Sequence, residues 1–544
     1  MTIGQKISIL RNSIKLSQEQ LAEQLDISRQ SVSKWESDTS FPEISKIIQL
    51  STLFNVSIDD LLRDEIPLEP SYTESLFRPK EVVTFNGKYF GTDGFRGEAN
   101  KNLTAMHAFK IGRFLGWYYS NINGSARKAR IVIGKDTRRS SYMIEYALVA
   151  GITSSGADAY MLHVTTTPSV SYVVRQDGFD CGVMISASHN PYYDNGIKLI
   201  NRVGEKMDDY TLSLIEKYLD NDLSEFNVEG DDLPLAQRNK IGLVIDHVAG
   251  RNRYVGYLIS IAANSYKNIN VALDCANGAS WMIARSVFSA LGANVFVIND
   301  SPDGININEG AGSTHISALR KYVKDNHMDV GFAFDGDADR LIAVDENGQT
   351  INGDHIIYVI GRRLRDKGLL PGNKVVTTIM SNMGLYKALD EAGIGYVQTT
   401  VGDRYVHEAM MENNYYLGGE QSGHVIIRKY ATTGDGILSA IMLLEEMVEK
   451  KTSLGKLAEP VKMYPQAIKN IVVTDKSAVA ADEKVLALVK EIGEELGKDG
   501  RILLRESGTE PIIRVMAESS SQKVCDAQTE RVCALIKSLG YCKN

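Results

Sequence analysis

The densest chemistry in the sequence is Asp335-Gly336-Asp337-Ala338-Asp339-Arg340. Three carboxylates at i, i+2 and i+4 repel one another, and crowding them costs free energy unless a cation collects them. Ligands that are all oxygen select a hard dication, so Asp335, Asp337 and Asp339 read as a Mg²⁺ site. An EF-hand also fits the acidic positions, with Glu346 at its twelfth place, but Arg340 stands where that loop needs glycine. The flanks at 330–334 and 341–344 read as strands, which an EF-hand does not have.

Three more loops offer chemistry. Ser186-Ala187-Ser188-His189-Asn190-Pro191 follows an apolar strand at 183–185, and its hydroxyl, imidazole and amide suit a nucleophile loop. Adjacent Ser188 and His189 are a poor nucleophile–base pair and no GxSxG elbow is present, which argues against a serine hydrolase. Alone, the loop reads as well as a polar turn with a helix cap. Gly418-Gly419-Glu420-Gln421-Ser422-Gly423-His424 lets backbone approach a ligand and offers the donors and acceptors a sugar requires; alone, it is a glycine-rich turn. Arg505-Glu506-Ser507-Gly508-Thr509-Glu510-Pro511, with Arg514, suits a phosphate dianion; alone, it is a hairpin loop with surface arginines. GTDGFRG at 91–97 and GKDTR at 134–138 are weaker signals. The loops fall in different domain-sized segments, so a ligand held between four domains would touch them all. That predicts a phosphorylated sugar in a central cleft and phosphoryl transfer through Ser188.

Elements must position these loops. A strand–loop–helix–Gly–strand unit occurs three times: 131–133 through Gly156 to Ala159, 269–273 through Gly292 to 295–298, and 375–377 through Gly393 to 396–399. Glycine suits the left-handed position that ends a helix. The fold class is α/β: three related mixed-sheet α/β domains, then a small C-terminal α+β domain with a helix at 482–496 and strands at 502–504 and 512–516. An all-α segment precedes them, read as about five short helices, with Ser17 and Ser28 as N-caps. Pro67, Pro70 and Pro79 mark a linker that cannot continue those helices. The expected boundaries are 1–66, linker 67–87, 88–240 with the serine loop, 241–350 with the metal loop, 351–463 with the sugar loop, and 464–544 with the phosphate loop.

The balance of 544 residues, 43% hydrophobic and 24% charged, is that of a globular chain. Five scattered cysteines with no CxxC pair argue against a zinc ribbon or a disulfide scaffold and suit a reducing cytoplasm. Neither a signal-peptide core nor an apolar run of the roughly 18 residues a membrane helix needs is found. A net charge of −8 excludes a protein that coats nucleic acid but leaves room for a local DNA-binding patch.

The loops SASHNP, DGDADR, GGEQSGH and SGTEP, in that order along the chain, resemble the four signatures of the α-D-phosphohexomutase family over about residues 88–544. SASHNPYYDNGIK at 186–198, NINEGAGSTH at 306–315 and VGDRYV at 401–406 are similar to its phosphoglucosamine mutase branch; phosphoglucomutase/phosphomannomutase members usually carry Met at Gln421. Three positions depart from the family pattern: Glu506 for Pro, Ala311 for Cys and Ala338 for Gly. The resemblance implies a phosphoserine at Ser188, with Mg²⁺ on Ser188, Asp335, Asp337 and Asp339, and Lys198 as general acid or base. It implies Arg96, His189 and Arg340 around the phosphoryl group. Glu420, Ser422, His424, Asp403 and Arg404 would serve the sugar; Arg505, Ser507, Gly508, Thr509 and Arg514 would hold the other phosphate. The expected reaction interconverts glucosamine 6-phosphate and glucosamine 1-phosphate through a hexose bisphosphate, which is both intermediate and activator. The alternatives are a phosphoglucomutase/phosphomannomutase acting on another hexose phosphate, or a phosphosugar-sensing regulator without turnover. An oligomer is compatible with the sequence.

Ser17–Ala22 (SQEQLA) and 27–36 (ISRQSVSKWE) resemble the lambda-repressor/Cro-like helix-turn-helix family. The resemblance implies that Arg29, Gln30, Ser31 and Lys34 face DNA, that Gln18 meets a phosphate, and that Val32 and Trp35 are core. Residues 1–66 carry seven Lys and Arg against ten Asp and Glu, so a helical interaction module is the competing reading.

Overall fold

The computed structural model describes residues 2–13, 16–25, 27–54, 56, 61–62, 87–123, 127–226, 228–506 and 511–542. Four α-helices of the N-terminal segment are described: Ile3–Ser13, Gln18–Gln24, Arg29–Glu36 and Ile44–Phe54. Both expected caps form. Ser17 closes a capping box with Gln20, and the Ser28 hydroxyl accepts the Ser31 N–H. Val32 and Trp35 turn into a core with Ile7, Leu10, Leu21 and Leu50, drawn wholly from this segment.

The first α/β domain is built on a seven-stranded sheet. Its order is Phe90–Gly91, Gly94–Glu98, Asp194–Asn201, Cys181–Ile185, Arg130–Lys135, Asp158–Val164, Val244–Asp246. The last four are parallel to one another and the rest antiparallel. The edge strand Val244–Asp246 thus comes from beyond residue 240, the boundary expected for this domain. Cys181–Ile185 is buried throughout, as a continuous apolar run in a covered parallel sheet must be.

The second sheet runs Thr350–Ile351, Leu341–Val344, Val330–Phe334, Asn270–Asp274, Asn294–Ile298. The third runs Gly395–Thr399, Lys374–Thr378, Leu417–Gly419, Val425–Ile427, and the fourth Gln466–Val472, Ile512–Ser519, Gly500–Glu506. The three repeated units are therefore parallel strand pairs joined by helices. Gly156, at φ +94°, ends its helix in the left-handed conformation. In the small last domain the helix Glu483–Leu496 buries Val485 and Ile492, while Leu486 lies exposed. The serine loop follows Cys181–Ile185 and the metal loop follows Val330–Phe334, so both leave the carboxyl ends of strands, where open α/β sheets bind ligands. No helix among the described residues is long and apolar enough to cross a membrane.

Candidate active site

The metal loop is a turn between the antiparallel strands Val330–Phe334 and Leu341–Val344. It buries Asp335, Asp337 and Asp339 with carboxylate oxygens within 4.8 Å of one another. Oδ1 of Asp337 and of Asp339 is buried without a hydrogen-bond donor. Burial, reinforced by the charges of Asp339 and Asp337, holds the Asp335 carboxyl well above the usual carboxylate range. Orphaned acceptors and like charges at this separation fit a hard divalent cation.

Ser188 lies directly against that cluster. Its hydroxyl is buried and donates to Asp335 Oδ2 at 2.5 Å, and its N–H donates to the Ser186 hydroxyl at 2.9 Å. His189 Nδ1 stands 3.4 Å from Ser188 Oγ and accepts from Arg340 Nη1 at 3.2 Å. Burial, with Arg340 and Arg96 beside it, pushes the His189 imidazole down to about 4, so it is neutral at physiological pH. Arg340 is held above the usual guanidinium range: burial opposes its charge, and Asp339, Asp335, Asp93 and Glu420 outweigh it.

Lys198, on the buried strand Asp194–Asn201, reaches Asp337 at 2.7 Å and Asp339 and Asp93 at 3.2 Å. Burial opposes its charge, but the three carboxylates outweigh burial and keep it an ammonium. Arg96 pairs with Asp93. Asp93 continues to Lys206 at 3.1 Å, and Lys206 to Asp403 at 2.7 Å. His424 closes the ring, with Nε2 3.6 Å from Asp403 and Nδ1 3.8 Å from Asp339. Burial disfavours the His424 charge, yet Asp339, Asp403 and Glu420 raise its pKa. A closed circuit of alternating charge so joins the first, second and third α/β domains.

The sugar loop enters through backbone as well. Residues 340 and 424 form an isolated bridge between the metal and sugar loops. Glu420 Oε1 accepts the Gly402 N–H at 3.1 Å, Ser422 is exposed, and Gln421 is half-buried. Asp403 opens the helix Asp403–Glu412. Arg404 makes a two-toothed pair with Asp209 of the first domain at 2.7 Å, so it ties domains together. Arg505 and Arg514 are opposed across neighbouring strands and line a cavity of about 190 Å³ with Met380, Asn470 and Met516. Ser507, Gly508 and Thr509 lie outside the described residues.

The four domain descriptions of the phosphoglucomutase/phosphomannomutase family match in order: alpha/beta/alpha domain I at residues 87–225, II at 252–348, III at 352–464 and the C-terminal domain at 468–535. A phosphoglucosamine mutase of Lachnospira eligens is 60% identical over 455 residues, 84% of this chain and 99% of that protein. Another, of Bacillus subtilis, is 47% identical over 452 residues, 83% and 99% of the two chains. The chain belongs to the phosphoglucosamine mutase family. A phosphoglucomutase/phosphomannomutase family protein of Burkholderia thailandensis shares the fold at 22% identity, with a TM-score of 0.69 over 83% of this chain and 98% of that one. The helix-turn-helix family matches residues 7–61.

Within this phosphohexomutase frame, reading by motif passed over several residues of the site. Asp93 and the Asp136–Arg138 pair sit in loops whose glycines and charges were visible, 91–97 and 134–138, but nothing local told structural from catalytic charge. Lys206 and Thr167, whose hydroxyl donates to Asp337 Oδ2 at 2.5 Å, carried no signal. Ala338, where the family usually has glycine, takes φ +57° and is fully buried. Glu506, the departure in the phosphate loop, accepts from the Ser477 hydroxyl at 3.3 Å.

The N-terminal helices place Arg29, Gln30 and Lys34 on an exposed face, with Ser31 half-buried. The Gln18 amide donates to Glu36 at 2.7 Å.

Proposed function

We propose that this phosphohexomutase interconverts glucosamine 6-phosphate and glucosamine 1-phosphate through a phosphoserine at Ser188 and a hexosamine bisphosphate. The observation that carries the reading is the Ser188 hydroxyl, buried 2.5 Å from Asp335 at the meeting of the serine and metal loops. The names of the relatives at 47–60% identity support glucosamine as the sugar.

The phosphoryl group passes from Ser188 Oγ to a hydroxyl of the sugar monophosphate. The Oγ–P bond breaks as the sugar O–P bond forms, and the bisphosphate then returns its other phosphate to Ser188. Asp335, Asp337 and Asp339, with an oxygen of phosphorylated Ser188, would hold Mg²⁺, whose charge would offset that of the transferring group. Lys198, 2.7–3.2 Å from Asp337, Asp339 and Asp93, serves as general acid and base: it gives a proton to the departing Ser188 oxygen and takes up the proton released by the attacking sugar hydroxyl. Arg96 and Arg340 face the phosphoryl oxygens, and neutral His189 orients Arg340 by accepting from it. Arg505 and Arg514, with Ser507, Gly508 and Thr509, hold the phosphate that is not reacting. Glu420, Ser422 and His424 bind hydroxyls in both orientations, while Asp403 and Arg404 set the sugar loop against the first domain. Residues 1–66 bind DNA through Arg29, Gln30, Ser31 and Lys34; exposure of three of these supports it, and Gln18, spent on Glu36, has a bracing part.

Ser188→Ala is expected to fold normally and lose turnover by several orders of magnitude, with the wild type, and not the variant, carrying one phosphate by intact mass. Normal turnover in that variant would sink the mechanism. Equal or better kcat/KM with glucose 1-phosphate or mannose 1-phosphate would move the sugar assignment.

A further inference from the structure

Ser188 sits at φ +54°. The left-handed region is unfavourable for a residue with a Cβ, and such a backbone persists only where its surroundings over-determine it. Two side chains hold its carbonyl. The Ser188 carbonyl accepts from Arg138 Nη2 at 2.9 Å and from Asn308 Nδ2 at 2.9 Å. The same two groups share the Asn190 carbonyl, at 3.0 and 3.1 Å.

The two donors come from different domains. Arg138 belongs to the first and is wholly buried; it also binds the Asp136 carboxylate and the carbonyls of Pro191 and Asp194. It is the permanent frame of the serine loop. Asn308 belongs to the second domain and is itself left-handed, at φ +60°. Its N–H donates to the Ala276 carbonyl at 2.9 Å, and the Ala276 N–H to Asp274 at 2.9 Å. Asp274 ends the strand that pairs in parallel with Val330–Phe334, the strand leading into the metal loop. The position of the Asn308 amide is therefore set by the domain that carries the three aspartates.

We propose that Asn308 is a positioning residue for phosphoryl transfer: by gripping the Ser188 and Asn190 carbonyls from the metal-loop domain, it fixes the serine oxygen relative to Asp335. The inference rests on the reading of Ser188 as the phosphate carrier. Its amide is spent on backbone carbonyls, so its loss acts on the rate of transfer and leaves substrate binding alone.

Asn308→Gly keeps the left-handed backbone and removes both hydrogen bonds. Asn308→Asp, near-isosteric, sets a carboxylate against two carbonyls and is the second arm if the glycine variant folds poorly. A misplaced reacting atom is expected to lower kcat by about a hundredfold, with KM within about twofold of wild type. Single-turnover phosphorylation of Ser188 by glucosamine 1,6-bisphosphate, followed by intact mass, slows by the same factor, and the Tm stays near wild type. An Asn308→Gly enzyme with kcat within about twofold of wild type overturns the proposal. So does a variant in which kcat, KM and Tm all worsen together, which marks a merely structural residue. Ser188→Ala is assayed alongside. If it turns over, the Ser188 reading falls and takes this inference with it; if it is dead while Asn308→Gly is normal, only this inference falls.

Discussion

At the scale of single residues the metal loop is a cluster of charge awaiting a partner. Lys198 offsets part of it, yet two carboxylate oxygens keep no donor. Asp337→Asn is expected to lower turnover by orders of magnitude, and chelation to abolish it until Mg²⁺ is restored; activity indifferent to chelator would exclude the metal. Gly336 makes a sharper test of packing. A Cβ there would lie 2.5 Å from the Ser188 carbonyl oxygen and 2.9 Å from Ile307. One methyl must therefore part the metal loop from the serine loop. Gly336→Ala is expected to cost about a hundredfold in kcat with all three carboxylates present, and kcat at wild-type level would show that the loops need not touch. The three aspartates were legible in the sequence because their repulsion is local. The partners of Lys198 were not, since 139 positions separate it from Asp337 and only the fold brings them together.

At the scale of elements, the helix Met383–Glu391 shows how the last domain is hung on the third. Its N-terminus accepts anions, as unpaired N–H groups and the helix dipole favour. Asp354 takes the Asn382 N–H at 2.8 Å, and Glu518 of the last domain takes the Met383 N–H at 2.6 Å. Glu518 is fully buried, binds Arg501 at 2.7 Å, and shares the strand Ile512–Ser519 with Arg514. Burial pushes the Asp354 carboxyl up to about 7, against the lowering effect of the Asn382 and Ser381 donors. Between the ordinary carboxylate range and about 7 the folded state then holds a proton that the unfolded state has released. Stability is lost as pH rises through that window and is level above it. Asp354→Asn is expected to remove that slope, so that the Tm difference, variant minus wild type, grows from pH 4 to pH 7 and then stays constant. A difference that does not change with pH would place the Asp354 pKa in the ordinary range. The strand–helix–strand units were readable here from periodicity and glycine. The Glu518 cap was not, because it lies 135 positions from the helix it serves.

At the scale of the whole molecule, the prolines at 67, 70 and 79 read as a linker between two units, and they lie outside the described residues. Pairing of Val244–Asp246 into the first sheet was hidden, because its partners lie some way back at Asp158–Val164 and no local pattern ties them. The N-terminal core uses only its own side chains, so residues 1–66 should fold alone and residues 87–544 should keep kcat/KM within about twofold of the full chain. Arg29 pairs with Glu19 at 2.9 Å, both more than half exposed. An exposed pair of this kind is worth about 0–1 kcal/mol, little enough for Arg29 to leave it for a base edge. Selection of residues 1–66 from a random DNA library is expected to enrich one sequence, bound more weakly as salt rises because phosphate contacts release counterions. Arg29→Ala should cost about 1–3 kcal/mol at that sequence if it reads guanine, and Glu19→Gln should tighten binding by freeing the arginine and removing a charge that repels phosphate. If bound phosphosugar changes DNA affinity in the full chain, DNA must change sugar affinity by the same factor. A folded 1–66 fragment that enriches no sequence at low salt would leave these helices an interaction module, with Arg29 held by Glu19 as a surface ion pair.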